Sequence, residues 1–316
     1  MHTPRPHLLF SFGTLLDERV QATLFGGPVP SRPAALAGHT TTPLRITDAT
    51  VIATSGLDVH LTLVRQHGAE VKGAALRLTD ADLEAADAYE VDDYVRRRVR
   101  LTSGETTWAY LDARPLRPAS RIVIVGDSIA YGRCDPRGGW AGRLAAAHIA
   151  ENETGHRLFN LAIPGSTLTD VSEQTPALLG PRLPDTLLVA AGINDAALPG
   201  PRTRTDRQLT DALASLADTA MRHNARLVVA GPSWIDETRT PADDGLHFTR
   251  DRALALRATL RTWCADHDVD HLDLWEPLRD RPDLLTDGLH PTPEGHEALY
   301  RHIVTLAHQT SRRARC

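Results

Sequence analysis

Hydrophobic and polar positions follow different patterns on the two sides of residue 115. Before it, short alternating or apolar runs rich in β-branched residues predict strands at 7–12, 51–54, 59–64, 73–78, 95–102 and 107–111. One amphipathic helix interrupts them, with Thr79 as N-cap and acidic residues in its first turns. Residues 1–112 are therefore expected to form a small α+β domain dominated by strands.

After residue 120, apolar runs alternate with amphipathic segments. Strands are predicted at 121–125, 158–163, 186–191, 226–230 and 269–274, and helices at 140–151, 206–223, 249–267 and 293–308. This alternation predicts a five-stranded parallel sheet between two helical layers over residues 121–316. The segment 113–120 contains two prolines and no apolar run, which is typical of a linker.

Length and composition suit a globular chain of two domains and offer no support for a charged binding protein. The chain has 316 residues, 41% of them hydrophobic, and a net charge of −5. A chain of this length suits two domains, and the charge offers no basic field for nucleic acid or an anionic membrane. Three widely spaced cysteines without a Cys-x-x-Cys pair (Cys134, Cys264 and Cys316) argue against a disulfide framework or structural zinc. A reducing cytoplasm is the expected location, and the oligomeric state is left open.

Chemically useful residues follow four of the predicted strands. Ser128 lies in a Gly-Asp-Ser turn after the first strand, and Gly165 follows the second. Asn194 follows the third, and an Asp-x-x-His pair (Asp287 and His290) follows the fifth. Because parallel strands end at one edge of a sheet, we expect these groups to meet there.

Together these blocks resemble the SGNH (GDSL-type) hydrolase family across residues 121–311, with the flavodoxin-like three-layer fold of that family. The resemblance implies that Ser128 is the nucleophile, His290 the general base and Asp287 the residue that orients His290. It further implies an oxyanion hole formed by the main-chain N–H of Ser128, that of Gly165 and the side-chain amide of Asn194. No metal and no cofactor are implied.

The tetrapeptide Asp-Gly-Leu-His occurs twice, at 244–247 and at 287–290. The second copy precedes Pro-Thr-Pro-Glu-Gly-His and the last predicted helix, as the final block of the family does, so His290 is preferred as the base. His247 and Trp234 are instead expected to line the substrate cleft.

The first domain carries a second set of motifs. A strand runs into Phe12, Gly13, Thr14 and Leu15, and a helix ends at Tyr89-Glu90 shortly before Tyr94-Val-Arg96. These segments resemble the γ-glutamylcyclotransferase (AIG2-like) family over residues 7–112, although Phe12 stands where that family usually has tyrosine. The resemblance implies a barrel-like fold, a substrate loop at residues 12–15 that holds a γ-glutamyl group, and Glu90 as the acid and base of the reaction.

The sequence thus predicts a serine ester hydrolase fused to a domain that cyclises γ-glutamyl amides to 5-oxoproline. The expected partners are small molecules: an acyl or acetyl ester, and a γ-glutamyl amide. Two alternatives stay open, namely a first domain that only binds or dimerises, and an acyltransferase in which an alcohol replaces water.

Overall fold

A computed structural model of the chain describes residues 4–46, 48–197, 205–240 and 247–308. The chain divides after Pro118 into two compact units, the second of which comprises Ala119–His308. The division falls inside the segment 113–120. In the described residues, no helix is both long and apolar enough to cross a membrane.

The first unit is built on a five-stranded sheet. Its elements are β1 (His7–Ser11), α1 (Glu18–Phe25), β2 (Ser31–Arg45), α2 (Ala49–Ser55), β3 (Val59–Leu78), α3 (Asp80–Tyr89), β4 (Tyr94–Arg100) and β5 (Thr106–Asp112). The strand order is β2-β3-β1-β5-β4, in which only the β1–β5 pair is parallel.

The sheet curls, and an apolar core fills its concave interior. The register of the long β2–β3 pair shifts between Ala37 and His39, and beyond β4 the N–H of Thr102 donates to the carbonyl of Ala35 on β2 at 2.9 Å. The interior core includes Phe10 and Leu36, whereas a second core holds the helices against the other face. The prediction of a strand-dominated, barrel-like α+β domain is confirmed.

One predicted strand of this unit, at 51–54, was wrong. Ala49–Ser55 is a helix, because the side chain of Asp48 accepts hydrogen bonds from the N–H groups of Thr50 and Val51, and Gly56 ends the helix in the left-handed region at φ 72°. Local capping overrides the strand preference of the β-branched residues between these two ends.

The second unit has the predicted three-layer architecture. Its strands are β6 (Arg121–Gly126), β7 (Arg157–Asn160), β8 (Thr186–Ala190), β9 (Arg226–Ala230) and β10 (Asp270–Leu272). Its helices are α4 (Ser128–Tyr131), α5 (Gly139–Glu151), α6 (Leu168–Leu179), α7 (Asp206–Arg222), α8 (Arg250–Asp266) and α9 (Pro293–His308). All strand pairs are parallel in the order β10-β9-β8-β6-β7, which confirms the five-stranded parallel sheet.

Burial follows this layering. Every residue of β8 and β9 is buried, and apolar side chains of α6, α7 and α8 pack on one face of the sheet. Helices α5 and α9 pack against each other. In this order the chain leaves β6 for β7 on one side and later returns to place β8 on the other, so β6 and β8 form the topological switch point, where loops diverge and leave a crevice.

Candidate functional site

Ser128 lies at this switch point because a tight turn follows β6. Gly126 has no room for a side chain, since an added Cβ would lie 2.2 Å from the carbonyl oxygen of Ala190. Asp127 then caps α4 by accepting a hydrogen bond from the N–H of Ile129 at 3.0 Å, and Ser128 is the first residue of that helix. Burial raises the pKa of Asp127 to about 7, the nearby Asp195 adds to the shift, and backbone hydrogen bonds oppose it. Asp127 therefore supports the turn that presents Ser128.

Three side chains form a continuous hydrogen-bonded chain at this edge. The hydroxyl of Ser128 lies 2.9 Å from Nε2 of His290, and Nδ1 of His290 lies 2.7 Å from a carboxylate oxygen of Asp287. Since a carboxylate can only accept, Nδ1 carries the proton and Nε2 is left to accept from the hydroxyl. Ser128 and His290 are both buried. The structure thus brings together the three residues predicted as nucleophile, base and orienting acid.

Hydrogen bonds keep Asp287 ionised. Partial burial alone would raise its pKa, but the His290 ring and the backbone N–H groups of His290 and Leu289 donate to the carboxylate and hold the pKa well below its usual range. An ionised Asp287 stabilises the positive charge that His290 gains when it takes a proton.

The predicted oxyanion-hole residues lie on neighbouring loops. Gly165 follows β7 with φ 83°, a conformation that suits glycine. The side-chain amide of Asn194, after β8, donates to the carbonyl of Ser166 at 3.0 Å, which ties the two loops together. An amide carries two N–H groups, so this contact leaves Asn194 a second donor. Asn194 is buried.

The loop after β9 fixes the segment that carries Asp287 and His290. The N–H of Asp236 donates to the carbonyl of Gly288 at 2.8 Å. The guanidinium of Arg239 donates to the carbonyls of Leu285 and Thr286 at 3.2 and 3.0 Å. Sequence reasoning missed Arg239, since a surface arginine among so many carries no distinguishing signal.

The structure does not bring Trp234 and His247 into this hydrogen-bonded group. Trp234 is only 3% exposed, and the guanidinium of Arg250 lies over its ring at 5.5 Å. His247 is exposed, and the remainder of its tetrapeptide, 244–246, lies outside the described residues. Their assignment to the substrate cleft stays a prediction.

Among the described residues, one cluster has the composition of a metal site: His148, Glu151 and His156, with ligand atoms within 4.8 Å of one another. The two imidazole rings stack with their centres 4.2 Å apart at an interplanar angle of 7°, so their ring-nitrogen lone pairs lie in nearly parallel planes and do not converge on one point. One ring nitrogen of His148 also contacts the carbonyl of Ser120, and one of His156 contacts the carbonyl of His148. The cluster lacks the converging geometry of a zinc ligand set.

The first unit contains a cavity of its own, lined by both polar and apolar side chains. The predicted loop Phe12, Gly13, Thr14 and Leu15 lines it, together with Phe10, Ser11, His60, Leu61, Glu90, Tyr94 and Tyr110. Glu90 directly follows α3 as its C-cap. Burial raises its pKa to about 8, with a further contribution from the charge of Asp87. A carboxyl group with such a pKa can both accept and return a proton near neutral pH.

Tyrosines hold the walls of this cavity together. The hydroxyl of Tyr89 donates to Thr14 at 3.2 Å, and that of Tyr94 donates to the carbonyl of Leu61 at 3.4 Å. Burial raises the pKa of both tyrosines, so both are neutral donors at neutral pH. The hydrogen bond from Tyr89 thereby attaches the loop at residues 12–15 to α3, the helix that ends just before Glu90.

Comparison with solved structures agrees with this architecture. Axe2, an acetylxylan esterase from Geobacillus stearothermophilus, matches with a TM-score of 0.51 and 18% identity over 60% of this chain and 94% of Axe2. A lipase/acylhydrolase from Enterococcus faecalis matches with a TM-score of 0.49 and 23% identity over 58% of this chain and 94% of its own. The likeness to Axe2 shows a shared fold. Among curated proteins, none matches this chain.

Family models match both units. Residues 9–127 match the model described as gamma-glutamyl cyclotransferase, AIG2-like. Residues 124–298 match the model described as GDSL-like lipase/acylhydrolase family, which covers more than half of the chain and contains the residues from Ser128 to His290. The chain therefore belongs to the GDSL-like lipase/acylhydrolase family and carries an AIG2-like domain before its hydrolase domain.

Proposed function

We propose that the second unit hydrolyses carboxylic esters through a covalent acyl-serine intermediate. The observation that carries this proposal is the hydrogen-bonded chain from Ser128 through His290 to Asp287. The Ser128 oxygen attacks the ester carbonyl while Nε2 of His290 takes the hydroxyl proton. The alcohol then leaves with that proton, and a water molecule activated by His290 releases the acid.

In the tetrahedral intermediates the former carbonyl oxygen carries a negative charge, which hydrogen-bond donors must stabilise. The N–H groups of Ser128 and Gly165 and the second amide N–H of Asn194 are assigned this role. Small acyl or acetyl esters are the proposed substrates, and the acetylxylan esterase Axe2 shares the fold, so p-nitrophenyl acetate is a suitable first probe.

The repeated tetrapeptide supplies a matched pair of variants for the base. His290→Ala should lower kcat/KM for p-nitrophenyl acetate by about 10³-fold or more, because the hydroxyl of Ser128 loses its proton acceptor. His247→Ala should change it by less than about tenfold, the size expected of an outer substrate contact. Loss of turnover in His247→Ala with retention in His290→Ala would reverse the assignment.

The nucleophile is tested directly by covalent labelling. A fluorophosphonate should add one phosphonyl group to the wild type, detected by intact mass, and none to Ser128→Ala, which should also lose ester hydrolysis. Unchanged hydrolysis by Ser128→Ala would remove the proposal. Adding a competing alcohol separates the acyltransferase alternative, since a transferase would form a new ester where a hydrolase forms the free acid.

A second activity is proposed for the first unit, on the observation that Glu90 shares one cavity with the loop at residues 12–15. The α-amine of a γ-glutamyl amide attacks its own γ-carbonyl, and the carbon–nitrogen bond to the leaving amine breaks. Glu90 takes the proton from the attacking amine and returns it to the leaving amine, which yields 5-oxoproline.

This activity is tested by 5-oxoproline release from a panel of γ-glutamyl amides. Wild type should release it, Glu90→Gln should not, and Ser128→Ala should match wild type because Ser128 belongs to the other unit. Absence of release from the wild type across the panel would favour the alternative of a binding or dimerisation module.

A further inference from the structure

Asp87 lies in the last turn of α3, the helix that Glu90 caps, and is held by two neighbouring strands. The hydroxyl of Tyr110 on β5 donates to one carboxylate oxygen of Asp87 at 2.9 Å. The guanidinium of Arg96 on β4 lies 3.4 Å from the other oxygen and 4.9 Å from the centre of the Trp108 ring. Asp87 therefore has a fixed place, although it is not one of the residues that line the cavity of Glu90.

Tyr110 links Asp87 to the cavity that Glu90 lines. Tyr110 lines the cavity together with Glu90, and its hydroxyl donates a hydrogen bond to Asp87. Burial raises the pKa of Tyr110 above its usual range, and the charges of Asp87 and Glu90 add to the shift, so the hydroxyl stays protonated and acts as a donor. Asp87 thus holds the hydroxyl of a tyrosine that lines the same cavity as Glu90.

Most other ionisable groups around this cavity are neutral or paired. The groups that face or surround Glu90 are Asp87 and Tyr89 of α3, His60 of β3, Tyr94 and Arg96 of β4, and Tyr110 of β5. Burial lowers the pKa of His60, so its ring is neutral at pH 7. Asp93 and Asp112, which lie near Tyr94, both contact Arg114, at 3.4 and 2.7 Å.

We propose that Asp87 is a positioning residue for Glu90: Tyr110 and Arg96 fix its carboxylate, and its negative charge opposes the loss of a proton from Glu90. This inference rests on the function proposed for the first unit. It explains why an acid that lines no part of the cavity is anchored from two strands. Arg96 offsets part of the charge of Asp87, since its contact is longer than a direct hydrogen bond.

Two variants separate the charge of Asp87 from its hydrogen bond. Asp87→Asn removes the charge and keeps an oxygen that accepts from Tyr110. Tyr110→Phe removes the hydrogen bond and keeps the charge. The full chain is labelled with carbon-13 at the glutamate side-chain carboxyl carbon, and the resonance of Glu90 is identified by its loss in Glu90→Gln. Its titration is then followed by NMR in each variant.

The titration midpoint of Glu90 should move at least about half a pH unit lower in Asp87→Asn, because a nearby negative charge that favoured the protonated form is removed. Tyr110→Phe should not lower it. The pH profile of 5-oxoproline release should show the same displacement in Asp87→Asn. An unchanged midpoint in Asp87→Asn, or an equal decrease in Tyr110→Phe, would overturn the inference. Because the titration needs no turnover, a wild type that releases no 5-oxoproline would contradict only the proposed function.

Discussion

The two nitrogens of His290 have different partners, and this difference determines what the residue can do. Nδ1 is held by an ionised Asp287, so the acceptor lone pair is on Nε2 and points at Ser128. A single imidazole can therefore take a proton from the hydroxyl without first changing its tautomer. The side-chain amide of Asn194 also has more than one donor: one N–H bonds the carbonyl of Ser166, and the other is the donor that we propose for the substrate oxygen.

Asn194→Ala should lower kcat for p-nitrophenyl acetate by about 10²–10³-fold, because a donor to the oxyanion is lost. KM should change little, since the interaction strengthens mainly in the transition state. Steady-state kinetics measure both quantities. Asn152→Ala, at a surface asparagine that ends α5, is the matched control and should leave kcat unchanged. A raised KM with an unchanged kcat would assign Asn194 to substrate binding instead.

At the scale of elements, the carboxyl ends of β6 and β8 lie so close together that there is no room for a side chain at Gly126. The N–H of Asp127 donates to the carbonyl of Ala190 at 3.2 Å, directly beside Gly126. The position of Ser128 thus depends on a glycine at the end of β6, because any larger residue would push apart β6, which precedes Ser128, and β8, which precedes Asn194.

Gly126→Ala should lower the free energy of unfolding of the second unit by about 1–3 kcal/mol, because the added Cβ overlaps the carbonyl of Ala190. Gly180→Ala is the matched control, since Gly180 ends α6 at φ −49° with nothing within 4 Å of the new Cβ. That variant should be neutral or slightly stabilising. Urea unfolding followed by circular dichroism compares the two, and equal stabilities would contradict the steric argument.

Sequence patterns predicted the parallel sheet well because each buried strand is a short apolar run bounded by turns. They failed at β2, since Pro33 and Pro43 lie within it and proline usually argues against a strand. They also failed at α2, where only the caps at its two ends distinguish helix from strand. The motif blocks predicted that Ser128 and His290 meet at one edge of the sheet, and the two side chains are hydrogen-bonded there. No pattern indicates Arg239, whose partners are carbonyls of distant backbone.

At the scale of the whole molecule, the described contacts place each candidate site inside one unit. Ser128, Asn194 and His290 lie in the second, whereas Glu90 and its cavity lie in the first. The two sites also differ in the direction in which the pKa of their acidic residue is shifted. The hydrolase site holds an acid whose pKa is lowered, and the first unit holds an acid whose pKa is raised. Ionisation of Asp287 should therefore stabilise the second unit as pH rises, whereas ionisation of Glu90 should destabilise the first.

Wild type should lose stability relative to Glu90→Gln as pH rises from about 4.5 to about 8. In this window an unfolded chain releases the Glu90 proton while the folded chain keeps it, so ionisation favours unfolding. Below the window Glu90 is protonated in both states, and above it the difference is constant. Unfolding of the first unit by urea at several pH values measures the effect, and a difference independent of pH would show that Glu90 is not held protonated.

The two prolines of β2 also affect whether the edge of this sheet can pair with another chain. β2 is at one end of its sheet, and a free strand edge can pair with another chain through its unused N–H groups. Proline has no N–H to offer, and the contact from Thr102 to Ala35 occupies a further position along that edge. The edge of the longest strand pair in the first unit is therefore a poor template for intermolecular β-pairing, and the prolines that make β2 hard to predict from the sequence contribute to this property.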